Sequence, residues 1–251
     1  MERKLALQFV ETEAPDYPVM VVPPDILYTF NLKAPPPGNY KNVDSALFFS
    51  SKYIQHISDS LFLKKYFDSF AEQSKATGLD IFFPTDLDSF LNTEKPAYIV
   101  NYAQMELSED TAIMKVEEKI NYQLKNKYIP YSIISLGTWF EISMKDSLQG
   151  YTYFDEQYLA DEIFGEFVQH LWSQNIEYEY EIVKMENEDI YNFAQYMGKT
   201  HAQFFFDLML NSYIWNKLPK ERRKSFLYLH YNSQYNSIEV AEEAFIMIED
   251  E

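Results

Sequence analysis

The sequence predicts an α+β fold: a mixed, partly antiparallel sheet with helices on one face, followed by a mostly helical C-terminal part. Three observations lead to that class. Short apolar runs rich in aromatic and β-branched residues recur between Leu5 and Met144, as strands require. Helical spacing interrupts them at Leu61, Leu63, Phe67, Phe70 and Ala71. Beyond Gly150, stripes of helical period dominate. The expected organisation is a mixed-sheet part over residues 1–150, with a Pro-rich extended segment at 12–43. A mostly helical part follows over 151–251, acidic at 155–189.

In chain order, Leu5, Leu7 and Phe9 alternate with Ala6, Gln8 and Val10 and predict a first strand. Seven of the 11 prolines lie between Pro15 and Pro37, so this stretch reads as extended chain with one strand at 26–32. Ala46–Phe49 reads as a strand, and Gly78 as the stop of the helix begun near Leu61. Leu79–Phe83 is a short strand ended by Pro84, and Thr85 with Asp88 caps a short helix through Leu91. Strands are expected at 97–107, 113–122 and 131–144, as antiparallel neighbours joined by tight turns. Leu159, Ile163, Phe164, Phe167, Val168 and Leu171 fall on one helical face. Ile176 to Ile182 alternates with glutamates and predicts a strand exposed on one side. A long helix follows from about Asp189 to Trp215, Pro219 opens another, and Asn236 with Glu239 caps a last one.

Composition excludes several functions. The net charge of −18 argues against nucleic acid, whose affinity comes from Lys and Arg neutralising phosphates, and against anionic membrane surfaces. Residues 155–189 alone carry −10, which reads as a solvated face. The chain has no Cys, so thiolate nucleophiles, disulfides and Cys-ligated zinc are excluded. No apolar run approaches the ~20 residues of a membrane helix. Against 3 Trp stand 21 Tyr and 20 Phe, which suit a core with wet edges or an adhesive surface.

Candidate chemistry is sparse. Gly198-Lys199-Thr200 lacks the earlier glycine of a phosphate loop, since Phe193 stands in its place. His201 lies in the middle of an apolar stripe and reads as a core residue with satisfied ring nitrogens. Glu162, Glu166 and His170 at helical spacing offer a metal-ligand pattern, but as the flank of an apolar face they read more simply as solvated. His56 and His230 have no acidic or nucleophilic motif beside them. Lys217, Lys220, Arg222, Arg223 and Lys224 form a basic cluster that either pairs with the 155–189 acid or opens a helix. No catalytic residue is assigned, and no cofactor or metal is expected.

The layout of residues 85–144 carries a resemblance. A short helix at Asp86–Leu91 precedes the strand Pro96-Ala97-Tyr98-Ile99-Val100-Asn101-Tyr102, and long paired strands end in Thr138-Trp139-Phe140-Glu141-Ile142. This arrangement resembles the α/β modules of bacterial envelope lipoproteins that assemble beside outer-membrane machinery. The resemblance implies action by contact with protein partners, without catalysis, in a periplasm-facing, lipid-anchored position. Membrane attachment would come only through an N-terminal lipid outside this chain, with Met1 replacing a removed segment; with Met1 as the native start, the expected place is the cytoplasm. The competing expectations are a hydrolase using dispersed carboxylates and a Tyr-rich carbohydrate-binding module.

Overall fold

The structure, a computed structural model, describes residues 1–34, 43–145, 147, 150–170, 175–242 and 245–248. Helix α1 spans Glu2–Gln8 and continues through a wider turn at Phe9–Glu13. Strand β1 is Pro18–Val22 and β2 is Tyr28–Asn31, followed by helix α2 at Val43–Ser50. Helix α3 covers Asp59–Ala76, with the Ser58 hydroxyl accepting from the Leu61 N–H at its start and Gly78 at φ 95° just beyond its end. Next come β3 (Asp80–Phe82), α4 (Leu87–Leu91), β4 (Tyr98–Ile120) and β5 (Gln123–Met144). Strands β6 (Gly150–Ala160), β7 (Glu162–Gln169) and β8 (Ile176–Val183) precede the long helix α5 (Asn187–Lys217) and the short α6 (Lys220–Arg223). The chain ends in β9 (Leu229–Asn232), β10 (Ser237–Val240) and β11 (Ile246–Ile248).

The main sheet runs β11-β6-β5-β4-β1-β3, with β2 beside β4 further along. β1 and β2 lie parallel to β4, whereas β5, β6 and β11 add in antiparallel order. The mixed α/β class is as the sequence predicts. One face of the sheet carries α3 and α5, which bury Tyr102, Phe140 and Tyr153 beneath Tyr66, His201 and Phe204. α4 instead covers the opposite face at the β1 edge, around Met20, Phe90 and Ala97. Residues on both sides of position 150 share the main core.

Several expected elements are different. Leu5–Val10 is helical, not a strand: the buried side chains are Ala6 and Phe9, one helical turn apart, and Phe9 packs on Phe206 and Tyr213. The stretch Ala46–Phe49 lies in α2. The proline segment holds β1 as well as the expected strand; residues 35–42 lie outside those described. The C-terminal part is not mostly helical, because among the described residues only α5 and α6 are helices and six strands surround them. The stripe from Leu159 to Val168 belongs to β6 and β7, where pairing with β5 and β8 outweighs a helical periodicity carried by strand-favouring aromatic and β-branched residues; Leu171 lies outside the described residues. The expected last helix is replaced by β10 and β11: Asn236 takes φ 47° in the β9–β10 turn instead of capping a helix.

Gly198 fixes the contact between α3 and α5. A Cβ there would run into the Tyr66 carbonyl oxygen and sit 3.2 Å from the Phe70 nitrogen. Both obstacles are helix backbone, which cannot swing aside. Gly198→Ala should therefore lower stability by ~3 kcal/mol, the upper part of the range for overpacking. Urea unfolding reads this directly, and a loss below ~0.5 kcal/mol would show that the helices separate easily.

Candidate interaction surface

Beyond the main sheet, β4 and β5 continue as a two-stranded arm. β2 leaves β4 at Glu109, and β6 leaves β5 at Ile133, yet the β4–β5 pairing runs on to Ile120 and Gln123. At ~3.3 Å per residue, Thr111–Ile120 projects ~33 Å. Its tip is the two-residue turn Asn121-Tyr122, with φ of 49° and 64°, the left-handed backbone that tight hairpins need. The β7–β8 hairpin runs beside it as a second ribbon. The Lys127 ammonium lies 5.8 Å from the Tyr180 ring centre, and Gln123 and Lys125 share a crevice with Gln169 and Ile176.

Each ribbon has two faces, set by the period of two. On the arm, Ala112, Met114, Val116 and Ile129 form a shielded row, with Ile129 fully buried. The opposite row holds Ile113, Leu124 and Tyr128, which are 66%, 65% and 56% exposed, with Lys115, Glu117 and Lys119 among them. On the second ribbon, Ile163, Phe167, Tyr178 and Ile182 are half-buried, and the Phe167 and Tyr178 rings stand 4.9 Å apart. Gly165 is needed in that row, since a Cβ would fall 2.8 Å from the Tyr178 ring. The other row alternates Glu162, Phe164 and Glu166 with Glu181, Glu179 and Glu177 across the pair.

Two buried carboxylates hold this assembly to the body. Glu109, fully buried, accepts from Lys33 Nζ at 2.5 Å and from the backbone N–H groups of Lys52, Tyr53 and Ile54 at 2.8, 2.8 and 3.2 Å. Asp161 accepts from the Tyr53 hydroxyl and Met185 N–H, both at 3.0 Å, and from Ser132 N–H at 3.1 Å. Burial pushes both carboxyls up, but these donors more than offset it and hold each below the usual carboxylate range.

The histidines fall into distinct settings. His201 is buried as expected: Nε2 lies 3.0 Å from Asp155 Oδ2, and Nδ1 meets the Tyr66 hydroxyl, itself 3.2 Å from that of Tyr102. Burial drives its pKa down against the pull of Asp155, so the ring is neutral at pH 7. His230 had no visible partner in sequence. Its Nδ1 donates to Asp207 Oδ2 at 2.7 Å, and that hydrogen bond raises its pKa. Asp207 also accepts from Tyr231 N–H and the Gln203 side chain, yet burial raises its pKa overall. The pair lines a cleft of about 540 Å³ with Thr200, Ser233 and Lys199. There Nε2 can exchange a proton with a bound group, but among the described residues no hydroxyl or second carboxylate bonds to it.

The remaining candidates stay apart. Glu162 and Glu166 are on β7, not a helix, and His170 Nε2 lies 3.6 Å from Glu179 instead. Among the described residues no group of three His, Asp or Glu could hold a metal. Gly198-Lys199-Thr200 is interior to α5. His56 is exposed at the end of a short turn. The basic cluster straddles the C-terminus of α5, where cations suit the helix dipole; Arg223 donates to the Leu218 carbonyl and stacks on Trp215. No protein-family model matches the chain, and no curated protein matches it significantly.

His201→Ala should cost ~2–4 kcal/mol, because it opens a cavity and strips Asp155 of its buried donor. The lowered pKa also has a sign. Its contribution is present above the unfolded value of ~6.5 and is lost as pH falls toward the folded value. The difference in melting temperature between wild type and His201→Ala should therefore shrink from about pH 7 to about pH 5. A difference that grows on acidification would mean that the ring is charged in the fold.

Proposed function

We propose that this chain is an interaction or assembly protein that engages a protein partner through its projecting arm, and that it does so in the bacterial cell envelope. The observation that carries the reading is the outer row of the arm. Ile113, Leu124 and Tyr128 stand exposed on a ribbon that needs none of them for the core, and Tyr122 at its tip is 95% exposed. Apolar side chains gathered on a projecting element suit a binding site better than a solvated one. Among the described residues, both edges of the arm are also unpaired beyond Glu109 and Ser132, so its backbone can accept a partner strand. The Asp207–His230 cleft weighs less, because among the described residues no hydroxyl or second carboxylate bonds to Nε2. The envelope setting follows from the layout of residues 85–144 and its resemblance to envelope lipoproteins.

A photo-crosslinking residue at Tyr128 in living cells should yield a discrete protein adduct. Ile113→Ser with Leu124→Ser should remove the adduct while changing stability by only ~0.5 kcal/mol per site, as at other exposed positions. An adduct unaffected by these changes, or none at any arm position, would dismiss the arm as the contact.

A further inference from the structure

We propose that the partner of the arm is a second copy of this chain, with the arm's outer row laid on the acidic face of the next copy's β7–β8 ribbon. This rests on the reading of the arm as the contact and names what it contacts. Charge complementarity carries the argument. In a chain of net charge −18, the arm's outer row carries +1, from Lys115 and Lys119 against Glu117. Residues 162–183 carry −5, with no Lys or Arg among them.

The two faces also match in detail. The arm's outer row alternates exposed Ile113, Tyr128 and Leu124 with Lys115, Glu117 and Lys119, the Lys115 ammonium lying 2.8 Å from the Glu117 carboxylate. The ribbon's outer row sets Phe164 and Val183, 57% and 47% exposed, among Glu162, Glu166, Glu177, Glu179 and Glu181. Glu166 stands directly opposite Glu179, a like-charge pair that destabilises an isolated ribbon. A lysine-bearing face laid over it removes that repulsion and buries Phe164 against apolar side chains. The protein's overall negative charge opposes the approach of two copies through their acidic faces, which favours a register that brings the lysines of the arm onto the ribbon.

Geometry sets the symmetry. The shielded rows of the arm and ribbon face each other within one chain, so the two outer rows point to opposite sides. One copy then cannot give and receive the same partner's arm; the contact is head-to-tail and propagates from copy to copy. A face ~33 Å long and two strands wide covers a few hundred Å² per partner, below the ~800 Å² per partner of stable complexes. Association is accordingly weak, concentration-dependent and sensitive to salt.

Sedimentation of the full chain at low salt, over micromolar to near-millimolar concentration, tests this. Wild type is expected to form a ladder of oligomers that added salt dissolves. Lys115→Glu with Lys119→Glu, and separately Glu179→Lys with Glu181→Lys, should each weaken association by ~10-fold or more. An equimolar mixture of the two double variants should recover it, since each mismatched face then meets its complement. Failure of the mixture to recover, or oligomers that survive both variants, would overturn the head-to-tail contact. Wild type that stays monomeric while the Tyr128 crosslink captures a different protein would overturn self-assembly and leave the arm's role intact; monomeric wild type with no crosslink would remove both.

Discussion

Two buried carboxylates, Glu109 and Asp161, decide where the body of this protein ends and its arm begins. Glu109 sits where β2 leaves β4, and Asp161 where β6 gives way to β7. Tyr53 joins them, giving its N–H to Glu109 and its hydroxyl to Asp161. Between them they gather β2, the turn at Lys52–Ile54, β5 at Ser132 and the entry to α5 at Met185. Burying a carboxylate without partners would cost several kcal/mol, whereas hydrogen bonds to a charged group contribute ~1.5–3 kcal/mol each. Both sites satisfy their oxygens mainly with backbone N–H groups, so no side-chain rearrangement can release them.

The body explains why the arm can project without unfolding. α3 and α5 meet closely at Gly198 and clamp an aromatic layer built on Tyr102, Phe140 and Tyr153. His201 reaches through that layer to Asp155, tying α5 to β6 from inside. The sheet is thus held on its helical face, and stability there does not depend on the outer ribbons. Residues such as Ile113 and Tyr128 stand exposed outside that layer.

Much of the body was legible in the sequence. The stripes of α3 and α5, the Gly78 stop and the alternation of β8 are long or well punctuated, and they fold as they read. Short runs misled. Leu5–Val10 alternates over six residues, but helix-favouring Glu2, Arg3, Lys4 and Ala6 and the burial of Ala6 with Phe9 decide it. In β6 and β7 long-range pairing overrode a helical stripe, as no local window can reveal. The arm was half visible: 113–122 and 131–144 read as paired strands, but Ser108-Glu109-Asp110 looked like a break and not the middle of a 23-residue strand. Its turn was also hidden, because Tyr122 occupies a left-handed position where glycine usually signals a hairpin. Glu109 and Asp161 looked like any other acids; only their partners, 55 or more residues away for Glu109's backbone donors, distinguish the former.

The anchoring role of the two carboxylates is tested most directly by native-state hydrogen exchange of the amides that they hold. The N–H groups of Tyr53, Ile54, Ser132 and Met185 should exchange only with global unfolding, while those of the outer arm near Lys119 and Leu124 open far more readily. Glu109→Gln should then release Tyr53 and Ile54 and leave Ser132 and Met185 slow. Fast exchange of all four amides in the wild-type protein would contradict the account, because the arm would be joined to the body by little more than its own two strands.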